Sequence, residues 1–165
     1  MPYLLDTNVF IQATKLHYGF DFCPAFWDWL VHENAAGKVF SIEKVADELE
    51  SAGDDLSEWS RTRGAGLFLK PDPALRQAFG TVGTWAAAQQ FDPAAVNTFL
   101  QVADFYLVSH ALARNYTVVS HEKPEPFARK VIKIPDACLG VGVKCMTPFQ
   151  MLRREKAKFV LGKIV

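Results

Sequence analysis

The fold is decided near the start of the chain, where the sequence reads Tyr3-Leu4-Leu5-Asp6-Thr7-Asn8-Val9-Phe10-Ile11. Three apolar residues come first, a polar triplet follows, and a second apolar run begins directly after it. A short apolar run that ends in polar residues is typical of a buried strand, and the second run has the spacing of a helix. The sequence therefore predicts a strand that ends at Asp6 and continues at once into a helix.

The rest of the chain alternates short apolar runs with stretches of helical spacing. Further strands or extended pieces are predicted at residues 39–42, 67–69, 117–120, 131–134 and 143–146. The helix before residue 117 is predicted to end at Asn115 in a left-handed cap. Helices between short apolar strands are typical of a parallel sheet that is covered on both faces. The sequence thus predicts an α/β protein, a three-layer α/β/α sandwich with a central, mainly parallel sheet.

Composition indicates one well-cored domain and gives no electrostatic indication of a partner. The 165 residues are half apolar and 13% aromatic, so we expect a single domain over residues 1–165. Lys plus Arg and Asp plus Glu number 18 each, which gives a formal net charge of zero. A nucleic-acid partner therefore has to be inferred from a site and not from the charge balance.

The cysteines and the hydropathy pattern predict a cytoplasmic protein without a membrane segment. Cys23, Cys138 and Cys145 have no metal-ligand spacing, and reduced thiols fit a reducing compartment. Asp6 interrupts the first apolar run before it reaches the length of a signal-peptide core. No stretch approaches the ~20 consecutive apolar residues that a membrane span needs.

Two acidic residues follow predicted strands. Asp6 comes after the first strand, and Glu122 comes shortly after the strand at residues 117–120. In parallel sheets, ligands bind beyond the carboxyl ends of the strands. We therefore expect Asp6 and Glu122 to lie at the binding edge of the sheet.

Two further acids lie on predicted helices, where periodicity indicates their direction. Glu48 lies beside the apolar stripe of its helix, whereas Asp47 is expected to face solvent. Asp104 lies four residues after Leu100 and three before Leu107, on the apolar face. An isolated carboxylate on such a face is costly unless it is paired, capped or bound to a cation.

Each of the four acids also has a simpler interpretation. Asp6 and Asp104 have the residue type and position of helix N-caps, and Glu48 and Glu122 have those of solvated surface acids. Taken together, however, four carboxylates offer the oxygen ligands that Mg²⁺ and Mn²⁺ prefer. Such ions assist the hydrolysis of phosphodiesters, and phosphatases use similar carboxylates.

The acidic residues lie in segments that resemble, in order, the motifs of the PIN-domain nucleases. Residues 4–11 are similar to the opening motif, residues 41–49 to the second and residues 103–112 to the third. Residues 118–122 are similar to the strand that carries the fourth acid, and residues 146–149 to the closing strand and helix. The resemblance extends over nearly the whole chain. The sequence is similar to an uncharacterised prokaryotic subgroup of PIN-like proteins. The chain departs from the family at Glu122, where aspartate is more usual.

This resemblance implies a ribonuclease-H-like fold and cleavage of RNA that depends on Mg²⁺ or Mn²⁺. Asp6, Glu48 and Asp104 would hold the metal, and Glu122 would complete the set directly or through water. Supporting hydrogen bonds that orient carboxylates or waters would come from Thr7, Asn8 and Ser120. Many relatives are toxins of toxin–antitoxin pairs, so an antitoxin protein and a homodimer are further implied partners besides the RNA substrate.

Two other functions remain open at this point. A haloacid-dehalogenase-like phosphatase also begins with a strand that ends in aspartate, but it needs a second acid where this chain has Asn8. A non-catalytic PIN-like module would bind RNA or protein without cutting it, and the intact acids argue against that. His121, beside the fourth acid, is expected to be an exposed loop residue and not a general base.

Overall fold

A five-stranded parallel sheet lies at the centre of the computed structural model, which describes residues 1–162. Its strands are β1 (Tyr3–Leu5), β2 (Val39–Ile42), β3 (Phe68–Leu69), β4 (Thr117–Val119) and β5 (Cys145–Met146). They lie in the order β3-β2-β1-β4-β5, and every neighbouring pair is parallel. The predicted parallel sheet is confirmed.

Helices fill the connections between the strands. They are α1 (Thr7–Gln12), α2 (Pro24–Ala35), α3 (Glu43–Glu50), α4 (Asp55–Arg63), α5 (Leu75–Ala88), α6 (Pro93–Gln101), α7 (Ala103–Arg114), α8 (Ile134–Val141) and α9 (Pro148–Arg154). A π-helical turn, Ala13–His17, continues α1, and a short 3₁₀ turn, Gly64–Gly66, precedes β3. Within residues 1–162, none of these helices has the length and apolar character needed to cross a membrane.

The chain changes direction across the sheet at β1. It first moves outward through β2 to β3, and it then returns through α5, α6 and α7 to β4 on the other side of β1. Parallel crossovers are almost always right-handed, so the two directions place helices on opposite faces of the sheet. This arrangement is the predicted three-layer sandwich. It also makes the carboxyl ends of β1 and β4 the switch point where such sheets bind ligands.

Aromatic packing on one side of the sheet explains the aromatic-rich stretch after the π-helical turn. Trp27 stacks on Phe20 with ring centroids 4.2 Å apart and contacts Trp59 of α4 at 4.8 Å. Its indole N–H donates to the carbonyl of Tyr18 at 2.7 Å. Phe26 and Trp27 are buried, whereas Phe22 is exposed. The stretch therefore contributes mainly to the core.

The strand predicted at residues 131–134 is wrong. This segment is a loop that leads into α8, which begins at Ile134 and carries Pro135 in its first turn. Ile132 and Ile134 are buried while Val131 is exposed, so alternating burial imitates the period of a strand. Proline in the first turn favours the start of a helix, so the segment leads into α8 and does not form a strand.

The left-handed cap predicted at Asn115 is confirmed, and the chain breaks between α6 and α7. Asn115 has a φ of 58° and ends α7. Val102 has an extended backbone with a ψ of 169° between α6 and α7. The break matters for the site because it starts a new helix one residue before Asp104.

Close packing between α5 and α8 leads to a prediction for two glycines. The indole of Trp85 lies directly on Gly140, where an added Cβ would overlap its ring atoms, whereas Gly80 has nothing within 4 Å of such an atom. We expect Gly140→Ala to lower the free energy of unfolding by about 1–2 kcal/mol through overpacking. Gly80→Ala should raise it by up to about 1 kcal/mol, because alanine favours a helix. Denaturant unfolding of both variants measures the two signs, and equal effects would contradict this packing.

Candidate carboxylate site

Asp6 lies at the junction between β1 and α1, as its place in the sequence predicts. Its backbone N–H donates to Val119 of β4 at 2.9 Å, which extends the β1–β4 ladder by one residue. Its carboxylate accepts one hydrogen bond from the backbone N–H of Thr7 at 2.7 Å and another from the hydroxyl of Ser120 at 2.8 Å. Asp6 is only 4% exposed. It therefore caps α1 and also faces the switch point of the sheet.

The polar residues predicted to support Asp6 form a connected network. Asn8 donates from its side-chain amide to the Ser120 hydroxyl at 3.1 Å and accepts from the backbone N–H of His121 at 3.0 Å. Thr7 donates from its hydroxyl to the carboxylate of Glu48 at 2.6 Å. Since these bonds connect α1, the end of β4 and α3, they hold three elements of the site in a fixed relation.

Glu122 has a structural partner that the sequence does not indicate. Its carboxylate accepts a hydrogen bond of 2.6 Å from the backbone N–H of Ile134, the first residue of α8. Its own backbone N–H donates to the Ser120 hydroxyl at 3.1 Å. Glu122 thus satisfies one of the free N–H groups at the start of α8, where a negative charge is favourable.

Asp104 is the second residue of α7, so it does not cap that helix. No hydrogen bond from another residue of the described range 1–162 reaches its carboxylate. All fully buried polar side-chain atoms within this range have hydrogen-bond partners, which indicates that the Asp104 oxygens reach solvent through the site. Asp104 is therefore the acid of the set whose oxygens remain available to a ligand.

All four predicted acids line one open recess of about 270 Å³ at the carboxyl edge of β1 and β4. Thr7 and Asn8 line it as well, and Ser120 lies behind Asp6. Two lining residues, Ile11 and Gln12, were not among the predicted site residues. They lie one turn after Thr7 and Asn8 on α1 and therefore on the same face of the helix. Helical periodicity, counted from the polar triplet, could have predicted them.

Burial and mutual repulsion raise the pKa of two of the acids. The pKa of Asp6 is raised to about 7, mainly by desolvation and then by the charges of Glu122 and Glu48, while hydrogen bonds from Ser120 and Thr7 act in the opposite direction. The pKa of Asp104 is also raised to about 7. Desolvation is the largest cause, and the charges of Asp6, Glu122 and Glu48 act in the same direction. Lys133 acts in the opposite direction on Asp104. The recess thus holds more negative charge than its own residues neutralise.

The donor chemistry of the recess fits a hard divalent cation. Its four carboxylates supply oxygen ligands, and a bound cation would remove the repulsion that raises the pKa of Asp6 and Asp104. In the part of the chain that the structure describes, no three Asp, Glu, His or Cys side chains are arranged so closely that they enclose one ion. Joint coordination would require side chains of the recess to move closer together.

His121 lies in a loop, as the sequence predicts, but it is only partly exposed. It is half-buried in a cluster of rings with His17 and Phe149, at centroid distances of 5.5 and 5.6 Å. Burial lowers the pKa of His121, and the nearby His17 lowers it further. We refer to His17, His121 and Phe149 as the ring cluster.

The three cysteines are free thiols. Cys138 of α8 is buried and Cys145 of β5 is half-buried. A hydrogen bond between the two raises the pKa of the Cys138 thiol and lowers that of Cys145. They contribute to the packing behind the recess.

A solved structure has the same fold. The chain matches one in a crystal structure of VapBC2 from Rickettsia felis bound to a DNA fragment from the promoter, with a TM-score of 0.52 and 17% identity. The match covers 89% of this chain and 98% of the other. It confirms the α/β/α fold class that the sequence predicts.

Residues 3–159 match the family described as "Domain of unknown function (DUF4411)", and the chain belongs to that family. A comparison with curated proteins finds no match. The family description assigns no activity, so the function has to be argued from the recess itself.

Proposed function

We propose that this protein is a metal-dependent ribonuclease that hydrolyses phosphodiester bonds at the carboxylate recess. The observation that carries the proposal is the convergence of Asp6, Glu48, Asp104 and Glu122 from four separate parts of the chain. Carboxylates that repel one another are costly to gather unless a cation or a proton compensates them. Perturbed carboxylates in a recess are typical of functional sites.

The resident ion in this proposal is Mg²⁺ or Mn²⁺, with Asp6 and Asp104 as its central ligands. Such an ion lowers the pKa of bound water and offsets charge on the oxygens of the phosphodiester. Asp6 is held in place by Thr7 and Ser120, so its carboxylate keeps one orientation. Glu48 and Glu122 lie at the sides of the recess and are restrained by Thr7 and Ile134.

The polar network around the acids would position substrate and water. Asn8 donates to Ser120 and Ser120 donates to Asp6, so the two residues fix the carboxylate and take no part as proton carriers. Gln12 and Thr7 lie on the same side of the recess and have side chains that can bond to phosphate or water. The shape is open, which suits a polymer passing across the site.

A toxin role with a neutralising protein is a further part of the proposal. The structural neighbour comes from a VapBC2 complex, and VapC is a PIN-domain toxin. By this analogy we expect an antitoxin that covers the recess, a homodimer and action in the cytoplasm. Co-expression of the chain with the product of the adjacent reading frame, followed by purification through one partner, tests the pairing.

Cleavage of a labelled single-stranded RNA tests the activity directly. We expect cleavage with Mn²⁺ or Mg²⁺ and none when the ion is removed by a chelator. RNA that is bound but never cut would favour a non-catalytic PIN-like module. Turnover of a small phosphomonoester without any cleavage of RNA would favour a phosphatase.

Mn²⁺ should stabilise the folded protein, because an ion that binds only the native state shifts unfolding. We expect a rise of about 2–3 kcal/mol in the free energy of unfolding at an ion concentration near a hundred times the dissociation constant. Thermal or denaturant unfolding at increasing Mn²⁺ measures this effect. The same titration on Asp104→Asn should show a much smaller rise, and an identical rise in both proteins would place the ion elsewhere.

A further inference from the structure

The ring cluster lies at the end of two elements that also form the recess. His17 ends the π-helical turn that continues α1, and α1 supplies Thr7 and Gln12 to the recess. His121 directly precedes Glu122, at the Cα spacing of about 3.8 Å for consecutive residues. The backbone N–H of His121 is bonded to Asn8, within the network that holds Asp6. The cluster is therefore connected to the carboxylates through this hydrogen-bond network.

The three rings are in mutual contact but remain open to solvent. His17 meets Phe149 edge to face at 5.1 Å and lies against His121 at 5.5 Å with an interplanar angle of 30°. All three side chains are only half-buried. Within residues 1–162, neither imidazole forms a side-chain hydrogen bond to another residue. Every fully buried side-chain nitrogen in this range has a partner, so the imidazole nitrogens must be accessible to solvent. Their ring nitrogens are therefore free to bond to a ligand.

Two exposed cations accompany the cluster in the sequence. Lys123 lies two residues after His121, and Arg153 lies one helical turn after Phe149. In the described range, neither forms a salt bridge. Aromatic rings together with cations are the combination that binds single-stranded nucleic acid, because bases stack on the rings while cations follow the backbone.

We propose that the ring cluster is a subsite that stacks an unpaired base of a single-stranded RNA whose phosphodiester lies in the recess. This inference rests on the proposed function and adds a base-binding subsite to it. A base-paired strand keeps its bases inside the duplex, so only an unpaired base can reach the rings.

Binding measurements with matched variants test the subsite. All proteins carry Asp104→Asn so that the RNA stays intact, and each is titrated against a short labelled single-stranded RNA. We expect His17→Ala and Phe149→Ala to weaken binding by about fivefold or more, as for the loss of one stacked base. Phe149→Tyr keeps a ring and should bind as the parent does.

Two control variants remove the same side chains elsewhere. His32 is exposed on the last turns of α2, which leads to the amino end of β2 and thus lies at the opposite edge of the sheet from the recess. Phe127 is 94% exposed and outside the ring cluster. His32→Ala and Phe127→Ala should leave RNA binding unchanged. Equal affinity of all four alanine variants would overturn the subsite.

A second probe separates stacking from a general effect on the fold. In a series of the same RNA, one nucleotide at a time lacks its base. At the position that contacts the rings, loss of the base should weaken the parent protein but cause no further loss in His17→Ala. Independent, additive losses at every position would show that the rings do not contact a base.

The outcomes distinguish failure of the subsite from failure of the nuclease. Cleavage by the unmodified protein, with ring variants that bind as the controls do, overturns the subsite alone. RNA binding that depends on the rings without any cleavage by the unmodified protein supports the subsite and overturns the nuclease. Absence of any RNA binding overturns both and would leave the rings as a surface for a protein partner.

Discussion

Replacing Asp104 with asparagine is expected to reduce Mn²⁺-dependent cleavage of RNA by at least about a hundredfold while the protein stays folded. Changes in the partners of metal ligands alone cost about 10- to 100-fold, and here a direct ligand is lost. Among the described residues no donor holds the Asp104 carboxylate, so its removal breaks no hydrogen bond of the fold. The asparagine side chain has the same size but carries no charge, and it is a weaker ligand for a hard cation.

Asp47→Asn provides the matched control for this variant. Asp47 is an exposed aspartate on α3, next to Glu48 but outside the recess, as its helical position predicts. The ratio kcat/KM for one RNA substrate, with circular dichroism as a check of the fold, should change in Asp104→Asn alone. Full activity of Asp104→Asn would remove this residue from the site.

Three of the four acids could be placed from the local sequence. Asp6 directly follows a three-residue strand, so its place at the edge of the sheet needs no knowledge of distant segments. Asp104 and Glu48 follow from helical spacing, since an acid on or beside an apolar stripe must face whatever the stripe packs against. Their meeting in one recess then follows from the topology of a parallel sheet.

Glu122 shows where local reasoning ends. Its position after β4 was predicted, but its bond to Ile134 depends on how the loop between them folds back. The same loop contains the segment that imitates a strand, where burial alternates at Ile132 and Ile134. Such burial is imposed by residues distant in sequence, so a local pattern has no information about it.

The ring cluster was missed for a related reason. His17 and His121 are far apart in the chain, and a lone histidine in a loop gives no sign of a partner. Phe149 belongs to the closing helix, for which the sequence indicates no role at the site. Only the parallel order of β1, β4 and β5 brings the three residues to the same edge. Clusters of this kind depend on the whole topology, whereas the acids were also indicated by ordered motifs.

The stability of the metal-free protein should depend on pH in a way that Asp104→Asn reveals. Folding raises the pKa of Asp6 and of Asp104 from 3.8 to about 7, so the native state binds more protons than the unfolded chain between these values. Stability from these groups is therefore fully present below about pH 4 and is lost as the pH rises through about 7. In a chelator, the variant and the unmodified protein should be similar in stability near pH 4.

The difference between the two proteins should grow with pH and then narrow when metal is added. Above pH 7 in a chelator, Asp104→Asn should be the more stable by about 2–4 kcal/mol, because it removes a desolvated charge and relieves repulsion on Asp6. Mn²⁺ at the same pH should reduce this difference in stability, because only the unmodified protein keeps its full set of ligands. Urea unfolding across pH, with Asp47→Asn as a flat reference, measures both effects. An Asp104→Asn protein that is less stable than the unmodified chain in chelator at high pH would mean that the acid is compensated by a group of the protein, and the recess would then have no need of a cation.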